Sequence, residues 1–430
     1  MTTAAEVLSD TTRALAALRA AGLPLDSLEL LESRTLEAGG LAAYRLSGTG
    51  ITGERAESRA HARWGTSEHV AATLHRWRDA RAEPGPFGAG VRAIPGLPAA
   101  LFLMPNDDRL PLLPAVADLA RLVRQLEKLP ELESAGWRAH EHLSRFDVVR
   151  YRPELELLAN VSLGLTQEPI GGSRTLETNL RLFADGRTER LLADTHAWRA
   201  GGAATVLPRP LGLLQERQLY VEEVPAGGTL RDAVRTGGVE PEAVAVALET
   251  LHGASTSFTD TRPADGRLVV AHTILRQLRT HAALDALDDS RIAAVAGPLT
   301  AALPTVRALR PVHGGLQPRK IRAGDAGLVF MELEDCAMGD PFDDWGSLIA
   351  HLLWESRTQF PEGSAESAFA ARLMPLARAT APERPARALA FFIACALLEI
   401  VVSPESAHTI DAAEVQLVLQ LAREILVQPA

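Results

Sequence analysis

Three short segments in the C-terminal half of the chain constrain its fold more than any other part. They read His-Gly-Gly-Leu-Gln-Pro-Arg-Lys at 313–320, Met-Glu-Leu-Glu-Asp at 331–335 and Gly-Asp-Pro-Phe-Asp-Asp-Trp-Gly at 339–346. The apolar residues after Gly327 predict a strand between the first two segments. Trp345, Leu348 and Leu352 have the spacing of one buried helix face. Asp344 stands at the start of that helix, where the helix dipole favours a carboxylate.

The order and spacing of these segments resemble those of small-molecule kinases of the aminoglycoside phosphotransferase superfamily, which includes maltokinase-like and choline-kinase-like proteins. In that family, the corresponding motifs read His-Gly-Asp-Leu-His-Pro-x-Asn, Ile-Asp-Phe-Asp/Glu-Asp and Gly-Asp-Pro-x-x-Asp. The resemblance extends over residues 146 to 428. It implies an α+β, two-lobed protein-kinase-like fold, with a small antiparallel-sheet N-lobe and a helical C-lobe, and an extra domain in front.

We accordingly predict an N-terminal accessory domain of mixed helix and strand at 1–140, a kinase-like N-lobe at 141–226 and a helical kinase-like C-lobe at 227–430. Apolar periodicity within the accessory domain predicts single helices over about 5–21 and 112–129. The residues at 98–111 resemble a segment that precedes the kinase lobe in some bacterial sugar-kinase-like proteins.

The resemblance also shows where this chain departs from the family. Phosphoryl transfer needs a carboxylate for the substrate hydroxyl, and an amide and a second carboxylate for magnesium. Gly315 stands at the position of the catalytic base and has no side chain. Lys320 replaces the metal-binding asparagine, and Glu332 replaces the metal-binding aspartate with a chain one methylene longer, which octahedral magnesium tolerates poorly. We therefore predict a degenerate site in which Lys320 and Glu332 pair where magnesium would sit.

Four nearby side chains have competing interpretations. His313 is a candidate base, but the equivalent histidine of the family is structural, and we expect it to hold the loop. Asp335 is a candidate metal ligand. Asp344 is expected to accept hydrogen bonds from the backbone of 313–315, whereas Asp343 is expected to be solvated.

The predicted N-lobe bears on nucleotide binding. Two strands are predicted to meet at Arg152-Pro153-Glu154, where related kinases often have Tyr-Arg-Pro-Gly over the nucleotide, and Glu154 replaces that glycine. Arg181 stands where these kinases have the phosphate-binding lysine. The backbone of Glu223 and Val224 stands where their hinge contacts adenine. The rigid fork of arginine does not replace a lysine. We expect ATP to bind weakly and without magnesium dependence.

Charge, cysteine content and hydropathy indicate the partners and the compartment of the protein. A net charge of −10 over 430 residues disfavours a nucleic-acid surface. The two cysteines, Cys336 and Cys395, have no framework spacing, which favours a reducing compartment. The N-terminus lacks the pattern of a signal peptide, and the longest apolar run, at 388–398, is too short to span a bilayer. A cytoplasmic protein without a membrane partner is predicted.

The leading hypothesis is a pseudokinase, a binding or regulatory module for a small molecule or a protein. One alternative is an active ATP-dependent phosphotransferase that acts on an alcohol group, with Glu332, Glu334 or Asp335 as metal ligands. Another is a scaffold for a carbohydrate-metabolising enzyme, with the N-terminal domain as the contact surface.

Overall fold

The structure is a computed structural model that describes residues 3–79, 82–167, 171–214, 218–280, 289–305, 308–358, 364–401 and 412–427. The chain forms two compact units. The first comprises Met1–Glu189 and Leu211–Glu222, and the second comprises Arg190–Pro210 and Glu223–Ala430. In its described part, no helix is long and apolar enough to cross a membrane.

The first unit begins with a five-stranded antiparallel sheet in the order β1-β2-β3-β5-β4. Its elements are α1 (Ala4–Leu8), α2 (Thr11–Ala20), β1 (Leu25–Leu36), β2 (Gly39–Thr49), β3 (Arg55–Trp64), α3 (Ser67–Asp79), β4 (Val91–Ala93) and β5 (Ala99–Leu103). Leu8 and Leu18 of the two N-terminal helices join Tyr44 and Leu101 of the sheet in one apolar core. The Tyr44 hydroxyl donates to the carbonyl of Leu8 over 2.6 Å, so the buried hydroxyl is satisfied.

A second five-stranded sheet, in the order β6-β7-β8-β10-β9, follows in the same unit. Its elements are α4 (Leu113–Ala117), α5 (Leu119–Leu126), α6 (Pro130–Ser134), β6 (Trp137–Arg152), β7 (Glu156–Gln167), β8 (Gly172–Phe183), β9 (Pro210–Leu214) and β10 (Leu219–Glu223). Leu122 and Leu126 of α5 pack with Leu157, Val161 and Leu180 of the strands in a second core.

The second unit is mainly helical. Its elements are α7 (Thr188–Trp198), β11 (Gly228–Thr229), α8 (Leu230–Thr236), α9 (Pro241–His252), β12 (Thr261–Arg262), α10 (Ala264–Thr280), α11 (Asp289–Ala302), β13 (Arg310–Val312), β14 (Ile321–Gly324), β15 (Gly327–Phe330), β16 (Ala337–Gly339), α12 (Pro341–Thr358), α13 (Ala365–Ala379), α14 (Ala386–Val401) and α15 (Ala412–Val427). Short 3₁₀ turns lie at Pro318–Lys320 and Leu333–Asp335. β14 and β15 connect these turns and pair with β11 in one small sheet, and β16 pairs with β12 and β13 in another. α12 and α14 approach closely at Gly346, where an added Cβ would lie 2.7 Å from backbone and side-chain atoms of Phe392.

The predicted fold class is confirmed, because an antiparallel-sheet region is followed by a helical region. Two predicted helices are each divided in the structure. The first is interrupted before α2, where Asp10 caps the backbone N–H of Arg13, and the second before α5, where Asp118 caps that of Arg121. In both places a carboxylate that caps a new helix outweighs the continuous apolar periodicity. The predicted boundary after residue 140 falls inside β6, which begins at Trp137.

Candidate functional site

Asp344, at the start of α12, organises the loop that follows β13. Its carboxylate accepts hydrogen bonds from the backbone N–H of His313 over 2.8 Å and of Gly314 over 2.9 Å. Nε2 of His252 lies 2.9 Å from the same carboxylate. Burial would raise the pKa of Asp344, but the hydrogen bonds from His252 and His313 hold it below its ordinary value. The prediction that Asp344 accepts hydrogen bonds from this loop is confirmed for the N–H groups of His313 and Gly314.

His313 is held in place as a structural group. It is completely buried, and its Nε2 lies 2.7 Å from the carbonyl oxygen of Met331, to which it donates. Burial and the nearby Lys320 ammonium lower the pKa of His313, so the ring is neutral at physiological pH. The histidine thereby ties the loop after β13 to the end of β15.

Gly314 and Gly315 differ sharply in their surroundings. Gly314 has a φ of +83°, and a Cβ on it would lie 2.2 Å from the carbonyl oxygen of Asp335, so only glycine fits. A Cβ on Gly315 would lie at ordinary contact distances, 3.5 Å from Oδ2 of Asp335 and 3.7 Å from Nζ of Lys320. Position 315 is therefore bordered by a carboxylate and an ammonium.

Lys320 and Glu332 form the predicted ion pair, with 3.8 Å between Nζ and Oε2. Both side chains are largely buried, with 7% and 13% of their surfaces exposed. Glu332 adopts a left-handed backbone conformation with φ of 63° and ψ of 60°. Such a conformation is strained for a residue with a Cβ and persists only where the surroundings enforce it.

The carboxylates that follow are engaged in structural ion pairs. Arg384 donates to both oxygens of Asp340 over 2.7 and 2.6 Å. Asp343 lies 3.0 Å from Nε of Arg262 and 2.9 Å from Nε of Arg267. Its side chain is 3% exposed, so the prediction that Asp343 is solvated is wrong. The two arginines supply the charge that allows this carboxylate to be buried.

Asp335 stands apart from its acidic neighbours. It is exposed, and its carboxylate forms no hydrogen bond or ion pair with the part of the chain that the structure describes. Within the described ranges, no three His, Cys, Asp or Glu side chains form a group that could hold a metal ion. The predicted role of Asp335 as a metal ligand stays a prediction.

Two of the three residues predicted to bind nucleotide, Arg181 and Glu223, form polar contacts within the chain. Arg181, on β8, is 1% exposed and lies 3.6 Å from the carboxylate of Glu222 on β10. Glu223 receives a hydrogen bond from Nε of Arg209 over 2.7 Å, and its backbone N–H donates to the Arg209 carbonyl. Val224 follows at the end of that strand and is partly exposed. Their roles toward a nucleotide stay predictions.

The turn between β6 and β7 is held by residues of the first sheet and of the segment after β5, in the same unit. Glu154 is one of two non-glycine residues with positive φ among those described, at 61°; Glu332 is the other. Its backbone N–H donates to Oδ2 of Asp107 over 2.8 Å, and its carboxylate accepts from Arg63 over 2.8 Å. A glycine would adopt this backbone freely, whereas glutamate requires these contacts.

Comparison with solved structures returns small-molecule kinases. A choline/ethanolamine kinase family protein from Mesorhizobium loti is 16% identical with a TM-score of 0.46, and the match covers 72% of this chain and 95% of that one. A thermostable mutant of an aminoglycoside phosphotransferase is 15% identical with a TM-score of 0.46, covering 67% and 95%. A choline kinase from Streptococcus pneumoniae is 14% identical with a TM-score of 0.43, covering 66% and 93%.

At these identities and TM-scores, none of the three matches assigns an activity to this chain. A scan against protein-family models gives no match, and a search of curated proteins also gives none.

Sequence reasoning missed Asp107 and Arg63, which hold the β6–β7 turn. Asp107 does lie within the segment at 98–111 that resembles a stretch ahead of the kinase lobe. That resemblance carried no indication of its partner, because the two bonded residues are 47 positions apart in sequence.

Proposed function

We propose that the chain is a pseudokinase, a small-molecule-kinase-like binding module that does not transfer a phosphoryl group. The observation that carries this proposal is the position of the Lys320 ammonium, 3.8 Å from Glu332 and 3.7 Å from the Cβ position of Gly315. A fixed positive charge thus lies beside both the residue expected to bind magnesium and the position expected to hold the base.

Magnesium and Lys320 would compete for the carboxylate of Glu332. A magnesium ion bound by this carboxylate would have to approach the ammonium of Lys320 and break the existing ion pair. Breaking a largely buried pair leaves an uncompensated charge, which is costly. Magnesium also demands near-ideal octahedral geometry at short distances, and the pair offers a single carboxylate. These costs favour the lysine over the metal at this site.

The expected ligand behaviour follows from the same residues. Because Lys320 already neutralises Glu332, we expect ATP to bind weakly and without a requirement for magnesium. The buried Arg181–Glu222 pair supports this expectation, since an arginine engaged by a carboxylate is less available to phosphates.

A second candidate function is favoured by Asp335. Its exposed carboxylate oxygen lies 3.5 Å from the Cβ position of Gly315, close to where a base on residue 315 would act. An ATP-dependent phosphotransferase that acts on an alcohol group could use this carboxylate from the opposite segment, since phosphoryl transfer depends mainly on positioning and charge stabilisation.

One set of assays separates the two candidates. The wild-type chain is tested with ATP, magnesium and a panel of sugars, aminoglycosides and choline-like alcohols, with ADP release as the readout. If the chain is a pseudokinase, its turnover should be far below about 1 per second, which is the low end of the turnover numbers of kinases. Turnover at that rate, abolished by Asp335→Asn, would replace it with the second candidate.

Thermal shift with ATP tests the metal argument directly. We expect the wild-type shift to be the same with and without magnesium. The double variant Lys320→Asn, Glu332→Asp restores the amide and carboxylate of the family pattern, and its shift should then increase with magnesium. A wild-type shift that appears only with magnesium would contradict the proposal. Gly315→Asp alone is the matched control and should not create magnesium dependence.

A further inference from the structure

The turn between β6 and β7 carries an internal anion supplied by another domain. Asp107, which follows β5, is 1% exposed and accepts four hydrogen bonds. Oδ1 accepts from the backbone N–H of Arg109 over 2.8 Å and of Leu110 over 3.0 Å. Oδ2 accepts from the Tyr151 hydroxyl and from the backbone N–H of Glu154, each over 2.8 Å. A buried carboxylate with these donors is fully satisfied.

Positive side chains surround the same turn. Arg34 donates to the carbonyl oxygen of Pro153, and Arg63 lies 2.8 Å from the carboxylate of Glu154. Arg152 lies 3.8 Å from Glu32. A turn with a left-handed residue, an inward backbone N–H and nearby arginines has the composition of an anion-binding nest.

We infer that the N-terminal sheet domain acts as a clamp that closes this turn to phosphate-like anions, with the carboxylates of Asp107 and Glu154 as the internal occupants. The inference assigns a role to the domain formed by β1 to β5. It goes beyond the pseudokinase proposal, because it concerns the first unit and would hold whether or not the second unit transfers phosphoryl groups.

Two features argue that the clamp is more than a packing contact. The left-handed backbone of Glu154 is strained, and the bonds that hold it come from the other domain, through Asp107 and Arg63. The Tyr151 hydroxyl also lies 3.2 Å from Nδ1 of His61 on β3, so the polar contacts continue into the N-terminal sheet. Glu154 is 3% exposed, so its carboxylate is held away from water, and this burial raises its pKa.

Hydrogen exchange on the full chain tests whether the clamp holds the turn. Asp107→Asn keeps the shape of the side chain and removes its charge. We expect the amides of residues 150–158 to exchange at least tenfold faster in this variant, while those of β8 keep their wild-type rates. Asp118→Asn, which alters the cap of α5 and has no bond to the turn, is the matched control and should leave residues 150–158 unchanged.

Calorimetry with inorganic tripolyphosphate, without magnesium, tests the occupancy. Asp107→Asn and Glu154→Gly each remove one internal anion. Glycine adopts the left-handed backbone of residue 154 without strain, so Glu154→Gly keeps the test possible if Asp107→Asn does not fold. We expect each folded variant to bind tripolyphosphate at least fivefold more tightly than wild type. Unchanged exchange at the turn would overturn the inference. So would faster exchange with unchanged affinity, because the contact would then be packing alone.

Discussion

Replacing Asp344 with alanine is the sharpest test of how the loop after β13 is held. The carboxylate is completely buried and accepts from two backbone N–H groups, with His252 as a third partner at 2.9 Å. A hydrogen bond to a charged group contributes about 1.5–3 kcal/mol, and such contributions are not additive. A buried donor left without an acceptor costs about 1–3 kcal/mol, so Asp344→Ala, which leaves two backbone N–H groups without theirs, should lower the free energy of unfolding by roughly 2–4 kcal/mol.

Urea unfolding measures this loss, and an unchanged m-value would show that the folded state is otherwise intact. Asp344→Asn is the graded control, because its amide keeps one acceptor oxygen for the loop, and it should lose less stability than alanine. Hydrogen exchange should accelerate at the amides of His313 and Gly314. A loss below about 1 kcal/mol for the alanine variant would refute the reasoning, since an ordinary neutral hydrogen bond alone contributes about that much.

Asp343→Ala provides the comparison. Because Asp343 binds Arg262 and Arg267, its removal should also destabilise the second unit. Arg267 keeps Glu399 as a partner, so the loss should be smaller than for Asp344. The amides of residues 313 and 314 should stay protected, because their acceptor is untouched.

Three further outcomes are expected. Lys320→Ala should lower the free energy of unfolding, measured by urea unfolding, by about 3 kcal/mol, because it leaves the buried Glu332 carboxylate without its partner. The double variant Lys320→Ala, Glu332→Gln should lose less. Equal losses in the two variants would contradict a stabilising Lys320–Glu332 ion pair. Gly314→Ala should cost about 1–3 kcal/mol from its left-handed backbone alone, whereas Gly315→Ala should stay within about 0.5 kcal/mol, and similar melting of the two would contradict the geometry. Burial lowers the pKa of His61 from 6.5 to about 4, so as the pH falls the unfolded state binds a proton before the folded state does. The free energy of unfolding should therefore drop by about 1.4 kcal/mol per pH unit between those two values. His61→Asn should remove most of this pH dependence.

The parts of the site that could be predicted are local in sequence and repeat a known spacing. The roles of His313 and Asp344 and the Lys320–Glu332 pair follow from segments close together in the chain, with a strand and a helix fixing their approach. The burial of Asp343 does not follow from the sequence, because its arginine partners are set by tertiary packing. Arg262 lies 81 positions earlier, and nothing beside Asp343 in sequence indicates that contact.

The N-terminal domain shows the same limit more strongly. The strands Gly39–Thr49 and Arg55–Trp64 do not follow from the sequence, because buried and exposed positions do not alternate along them; Leu41 to Tyr44, for example, are all buried. The bond from Glu154 to Asp107 needs both sheets to be in place before the two residues meet. Tertiary contacts of this kind leave no periodic signal in the sequence.

The interrupted path of the chain through the first unit has a consequence for expression and synthesis. The unit uses Met1–Glu189 and then Leu211–Glu222, with Arg190–Pro210 belonging to the other unit. A gene truncated after residue 189 would lack β10, the neighbour of β8, and would leave an open sheet edge where Leu219, Tyr220 and Val221 are normally buried. Such edges promote aggregation. During translation the second sheet must therefore wait for residue 222 to leave the ribosome, whereas the N-terminal sheet can close earlier.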